Sequence, residues 1–120
     1  MAFTVHRVAA GDIAYFRALN ALFGKEFDDA ESCAAKPPSD AYAKNLLAKE
    51  RVIPLVALSE GRVIGGLVAY ELEKLEQERS EIYIYDLAVD EGFRQQGVAT
   101  ALIKHLSEIA SGRGVWVIYV

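Results

Sequence analysis

The stretch that most constrains this chain is "EIYIYDLAV", residues 81–89. In an extended backbone Ile82, Ile84 and Ala88 fall on one face, and Tyr83, Tyr85, Leu87 and Val89 on the other. A strand apolar on both faces needs cover on both sides, so it belongs at the centre of a sheet. The next residues are equally restrictive. A short polar linker leads into "RQQGVAT", and from there Val98, Leu102, Leu106 and Ile109 recur at the spacing of a helix buried along one stripe. After "SGRG" the chain turns apolar again in "VWVIYV", residues 115–120. A strand, a crossover helix and a second strand form a parallel unit, so 81–89 and 115–120 are expected side by side, running the same way.

The upstream residues supply partners for this unit. "FTVHRV" (3–8) alternates like a strand. Residues 11–27 read as a helix that Asp12 can cap, with Ile13, Phe16, Leu19, Asn20, Phe23 and Phe27 on one broad face. "DDAESCAAKPP" is the least ordered-looking segment. It holds the one cysteine, Cys33, so no internal disulfide can form, and with no His or basic helix start near it in sequence the thiol reads as a bystander. A second helix comes next, capped by Ser39 or Asp40, with Tyr42, Leu46 and Leu47 facing inward. Residues 52–59 and 63–73 read as a hairpin through "SEGR", where Gly61 is free to take positive φ. Pro54 cannot donate a ladder bond, which places it near the strand start or at an edge. Gly65-Gly66 suggests a bulge or a close backbone approach. The order is β-α-α-β-β-β-α-β, in a single domain over 1–120.

A length of 120 residues suits one core and not two. The net charge of −4 argues against nucleic acid, whose binders carry a basic face, and suits a cationic partner. No apolar run approaches the ~20 residues of a membrane span. "MAFTVHRVAA" has no apolar signal-peptide core, so the cytoplasm is the expected location. The sequence stops at Val120 inside an apolar strand, and an exposed strand edge templates association. It therefore reads as a chain cut short or one that completes itself with a second copy, and a homodimer is expected.

A helix N-terminus presents unpaired backbone N–H groups and a partial positive charge. Gly97 and small residues after it let a large anion approach those groups, and Arg94 adds a positive charge beside them. "RQQGVAT" after a central strand is thus suited to phosphate or pyrophosphate, the alternative being a polar turn that binds nothing. It is neither a P-loop, lacking Gly-Lys-Ser/Thr, nor the dinucleotide fingerprint G-x-G-x-x-G. Arg94-x-x-Gly97-x-Ala99, following "LAV", resembles the acetyl-coenzyme A motif Arg/Gln-x-x-Gly-x-Gly/Ala of the GNAT N-acetyltransferase superfamily. A closer resemblance, to aminoglycoside 3-N-acetyltransferases of the gentamicin-resistance type, rests on "ALFGKEF", "NLL", "SEIYIYDLAV", "RQQGVATALI" and "VIYV", and runs from about residue 11 to the C-terminus.

The resemblance implies an α/β fold with a mixed central sheet and helices on both faces, lacking the family's C-terminal α-β-β portion. It implies acetyl-CoA as cosubstrate, no metal, and an aminoglycoside as acceptor. Backbone N–H groups of Gln95, Gln96, Gly97, Val98, Ala99 and Thr100 would hold the pyrophosphate with Arg94 near it. Leu87, Ala88 and Val89 would pair by backbone with the pantetheine arm, like an added strand. An N–H near Leu87 or Ala88 would polarise the thioester carbonyl. With the C-terminal portion absent, impaired turnover is expected.

An ammonium must lose a proton before its nitrogen attacks a thioester, so a carboxylate near the reacting atoms is useful. Asp86, inside the apolar strand, is the first candidate; an ion pair or a backbone cap is its purely structural alternative. Glu81 and Glu71 are weaker candidates, each with a solvated strand-end charge as its structural alternative, and together the three could make an acidic surface for a polycation. Tyr83 and Tyr85 read as core or substrate wall, His105 as a boundary residue, and Trp116 and Tyr119 as packing. His6 has no partner in view. Two other functions fit the same residues: acetyl transfer to another amine, such as a polyamine, small metabolite or protein N-terminus, and a non-catalytic assembly module.

Overall fold

A computed structural model describes residues 2–28 and 36–120, so Cys33 and its expected loop lie outside the described residues. Two hairpins in series build the sheet. The elements are β1 (Thr4–Arg7), α1 (Ile13–Glu26), α2 (Asp40–Leu47), β2 (Val52–Ser59), β3 (Arg62–Glu73), β4 (Ser80–Val89), a 3-10 turn (Glu91–Phe93), α3 (Val98–Gly112) and β5 (Ile118–Tyr119). The strands lie in chain order, β1-β2-β3-β4-β5. Neighbours are antiparallel except β4 and β5, which pair in parallel at Ile82–Ile118 and Tyr83–Tyr119. The element order and the parallel crossover are those read from the sequence.

The β2–β3 turn has positive φ at both Glu60 (52°) and Gly61 (76°), which matches the twist of a tight hairpin. Pro54 is the third residue of β2, and its carbonyl accepts from Val8 just past the end of β1. Its missing N–H therefore falls where β1 no longer needs a donor.

Each face of the sheet carries a core. Against α3 lie Ile53, Leu55, Leu67, Ala69, Ile82 and Ile84, facing Val98, Leu102, Leu106 and Ala110. Against α1 and α2 lie Val8, Val56 and Ala88, facing Phe16, Leu19, Phe23, Ala43 and Leu47. Gly65 and Gly66 lie where the helices press closest. A Cβ on Gly65 would stand 2.8 Å from Val98 Cγ1, at the start of α3. On Gly66 it would overlap Leu19 Cδ1 and stand 2.9 Å from the Leu55 carbonyl oxygen. The leucine tip can swing aside but the backbone oxygen cannot. Gly66→Ala is therefore expected to cost about 1–3 kcal/mol of stability, read as a lowered midpoint in urea with an unchanged slope.

One register shift alters what β4 presents. Val68 pairs with Asp86 but Ala69 pairs with Ile84, so Tyr85 is an extra residue in the ladder. Ile82 and Ile84 share the α3 core with Leu87 and Val89, while Ala88 belongs to the opposite core. This corrects the simple alternation expected for 81–89, which put Ala88 with Ile82 and Ile84. A period-two pattern cannot survive an inserted residue.

Other expectations are also corrected. Tyr42 is exposed, and Ala43 and Leu47 are the buried positions of α2. Asp12 stands at the N-cap of α1 but does not cap it. Its carboxylate accepts from the Ala9 N–H (2.8 Å) and meets His6 Nε2 (2.9 Å), which gives His6 a partner. Trp116 is exposed, with the Arg79 guanidinium over its ring, because β5 is ladder-paired only at Ile118 and Tyr119. Ser39 does cap α2, its hydroxyl accepting from the Tyr42 N–H at 3.1 Å.

Candidate functional site

The end of β4, the 3-10 turn and the start of α3 enclose a cavity of about 470 Å³. Leu87, Ala88, Val89, Arg94, Gln95, Gly97, Val98, Ala99 and Thr100 line it. Of the residues expected to bind the acyl donor, Gln96 alone is not in the wall. Glu26, Phe27 and Phe93 complete the lining and were not anticipated.

Backbone geometry makes this wall a donor surface. Gln95 (φ 62°) and Gly97 (φ 82°) are both left-handed, so the chain turns sharply into α3. Gly97 is the N-cap and brings no side-chain cap. The first helical bond here runs from the Ala101 N–H to the Gly97 carbonyl, which leaves the N–H groups of Val98, Ala99 and Thr100 without helical acceptors. A Cβ on Gly97 would meet no atom within 4 Å. A diphosphate therefore fits this surface: there are donors to receive it, room above the glycine, and the positive end of the α3 dipole behind them.

The approach to α3 is fixed by Asp90. Its buried carboxylate accepts from the Gly92 N–H (3.1 Å), Lys25 Nζ (3.3 Å) and Arg62 (3.2 Å), and its own N–H donates to the Ile64 carbonyl (2.8 Å). The Gly92 N–H, then the two cations, hold its carboxyl below the ordinary carboxylate range. Arg94 is pinned at two points. Its Nε donates to the Val89 carbonyl at 3.3 Å, and its guanidinium pairs with Glu26, whose side chain is only 6% exposed. The positive charge expected beside the anion is thus present but paired. Glu26 is the last residue of α1, where an acid opposes the helix dipole. That misfit was the one local signal that could have singled it out.

The open edge of β4 adjoins this cavity. The β5 ladder covers only Ile82 and Tyr83, so among the described residues no strand pairs with that side of β4 at 84–89. Leu87, Ala88 and Val89 border the cavity along that stretch.

Because of the Tyr85 bulge, Asp86 faces α1 and α2. It lies in a second cavity of about 200 Å³ with Phe16, Asn20, Tyr42, Val68 and Tyr70 among its walls. Burial alone raises its pKa above the ordinary carboxylate value. No cation or N–H offsets that burial among the described residues, so the ion pair weighed as the structural alternative is not formed. Tyr70 is shifted upward too, by burial and then by the Asp86 charge, which keeps its phenol protonated beside the carboxylate.

The other two carboxylates are differently placed. Glu81 is held by Arg79 (3.2 Å) and Lys74 (3.7 Å) and lines neither cavity. Glu71 pairs with Arg113 (2.7 Å) at the end of α3, on the face opposite Asp86. The expectation that the three would form one acidic surface is therefore corrected: Glu71 and Glu81 are neutralised by their own neighbours. His105 is half-buried on α3 and lines neither cavity. Among the described residues no cluster of three or more His, Cys, Asp or Glu could hold a metal ion. No helix among them is long and apolar enough to cross a membrane.

The glycine-capped start of α3 and the open edge of the bulged strand β4 are the features that the resemblance to the GNAT superfamily implies for an acyl-CoA site. The Acetyltransferase (GNAT) family matches residues 16–120, and the chain belongs to it, as an acetyl-CoA-dependent N-acetyltransferase. Among solved structures it is similar to an aminoglycoside acetyltransferase from an uncultured soil metagenomic sample. The two are 48% identical with a TM-score of 0.97, over 100% of this chain and 79% of that one. A second aminoglycoside acetyltransferase from an uncultured soil metagenomic sample, solved in complex with sisomicin, is 31% identical with a TM-score of 0.89 over 98% of this chain and 76% of that one. The ribosomal-protein-alanine N-acetyltransferase of Brucella melitensis biovar Abortus 2308 shares the fold at 24% identity and a TM-score of 0.74, over 98% of this chain and 78% of that one. A comparison with curated proteins finds no match.

Proposed function

We propose that this protein acetylates an amine of an aminoglycoside, with the 3-amino group as the acceptor and Asp86 as the general base. The observation that carries the acceptor class is the 48% identity, along the whole chain, to an aminoglycoside acetyltransferase. The gentamicin-resistance-type stretches at 80–103 support the 3-position. When bound, acetyl-CoA supplies the activated acyl group as a thioester.

The chain's own residues divide the remaining work. The N–H groups at Val98, Ala99 and Thr100, with those of Gln95, Gln96 and Gly97, bind the diphosphate, and Arg94 stands beside them. Leu87, Ala88 and Val89 offer backbone groups to the pantetheine arm, and an N–H near Leu87 or Ala88 is suited to stabilise negative charge on the carbonyl oxygen. Asp86 would accept the proton that the acceptor ammonium loses before its nitrogen attacks; forming the amide C–N bond would break the thioester C–S bond, and the second proton shed by the nitrogen would leave on the coenzyme A thiol. Burial supports that role, because a carboxylate with no partner gains from a cationic substrate and binds its proton more tightly than a solvated one. Glu81, paired with Arg79 and Lys74, lines neither cavity and so does not stand beside the acceptor.

The experiment is an acetylation assay with acetyl-CoA and a panel of gentamicin, sisomicin and spermidine, with products located by mass spectrometry and NMR. A single acetyl group on the 3-amine of the aminoglycosides is expected. Transfer to another ring position would overturn the regiochemistry, and transfer to spermidine alone would overturn the acceptor class.

A further inference from the structure

A polycationic acceptor carries more than one ammonium, and Asp86 can answer only the one that reacts. Glu81 and Glu71 are already neutralised by Arg79, Lys74 and Arg113. Something else must hold the remaining positive charge. The structure offers an unusual side chain beside Asp86. Tyr85 is 66% exposed, although it lies in a strand whose neighbours Ile82 and Ile84 are essentially buried. It is exposed because it is the extra residue of the β4 bulge. Its ring meets Tyr70 edge-on, at 6.1 Å between centroids and 88°, and Tyr70 is a wall of the Asp86 cavity. It meets Tyr83 in the same way, at 6.1 Å and 84°.

We infer that Tyr85 is a specificity-determining residue for the acceptor, its ring binding a non-reacting ammonium-bearing ring of a polycationic amino sugar next to Asp86. The inference rests on the aminoglycoside reading and adds to it a residue and a mode of contact. Edge-on contacts with Tyr70 and Tyr83 fix the orientation of the Tyr85 ring while leaving much of its surface to solvent. An aromatic face attracts an ammonium through its quadrupole without the desolvation cost of a second buried carboxylate. The same bulge that turns Asp86 toward α1 and α2 lifts Tyr85 out of the sheet, so one inserted residue supplies both groups.

The test compares steady-state kinetics of the wild type, Tyr85→Ala and Tyr85→Phe with sisomicin and acetyl-CoA. Tyr85→Ala is expected to raise the sisomicin KM about five- to tenfold, the scale of one cation–π contact. The acetyl-CoA KM should stay unchanged, and Tyr85→Phe, which keeps the ring, should stay near wild type. An unchanged sisomicin KM in Tyr85→Ala, in an enzyme that acetylates sisomicin, would overturn this inference and leave the functional reading standing. Equal rises in both KM values would also overturn it, since they would mark a merely structural residue. A wild type that acetylates no aminoglycoside would remove both together.

Discussion

Asp86→Asn is expected to lower kcat/KM for an aminoglycoside acceptor by about 10²- to 10³-fold, the usual worth of a positioned general base. The same substitution is expected to raise the melting temperature at neutral pH. Both effects come from a half-buried carboxyl without a partner among the described residues. Burial raises its folded-state pKa, so the folded chain binds that proton more tightly than the unfolded chain does. The stability this contributes is fully present below the unfolded pKa and is lost as pH rises through the folded pKa. At neutral pH the ionised group therefore weakens the fold, and an asparagine, which carries no charge, does not. Scanning fluorimetry across a pH series should show the variant ahead of wild type at pH 7 and the gap closing in acid. A fully active variant would show that Asp86 is not the general base, and one that melts lower at neutral pH would mean that its carboxylate has a stabilising partner.

The second large effect is expected at Gly97. Gly97→Val should weaken coenzyme A binding by about 100-fold or more, since two or more charge-assisted N–H bonds to the diphosphate would be obstructed. Its φ of 82° is strained for any side chain, and the Cβ would project into space that no protein atom occupies. The backbone strain should cost only about 1–3 kcal/mol of stability, so the variant is expected to fold. Calorimetry on a variant confirmed as folded separates the two effects. Wild-type affinity in that variant would show that the diphosphate does not lie over this turn.

The sequence carries the middle of the site because two patterns with different periods meet there. β4 is apolar on both faces, α3 repeats every three to four residues, and the polar turn between them is short. Those local signals locate Leu87 to Thr100, and the cavity wall contains all of the expected donor-binding residues except Gln96. Gln96 drops out because only Gln95 and Gly97 take left-handed φ, and it lies between them with its side chain exposed.

What the sequence hides is whatever depends on the register of another strand or the packing of a distant helix. The extra residue at Tyr85 shows only in the pairing with β3, where Val68 and Ala69 skip over it. Reading β4 in isolation therefore assigns Leu87, Ala88 and Val89 to the wrong faces. Glu26 and Phe27 reach the cavity from the end of α1, and no local spacing links them to the motif, since Glu26 lies 68 residues before Arg94. Likewise, Glu81 and Glu71 look in sequence like free carboxylates. Only their ion pairs with Arg79, Lys74 and Arg113 distinguish them from Asp86.

All of the donor chemistry depends on the opening of α3 receiving a diphosphate through backbone N–H groups. The most direct measurement is a titration of the isotope-labelled protein with coenzyme A, following the backbone amide resonances. The largest shifts are expected at residues 95–100, saturating together with the binding isotherm. Saturable binding with shifts centred elsewhere, or no shifts at 95–100 at saturating coenzyme A, would contradict that placement.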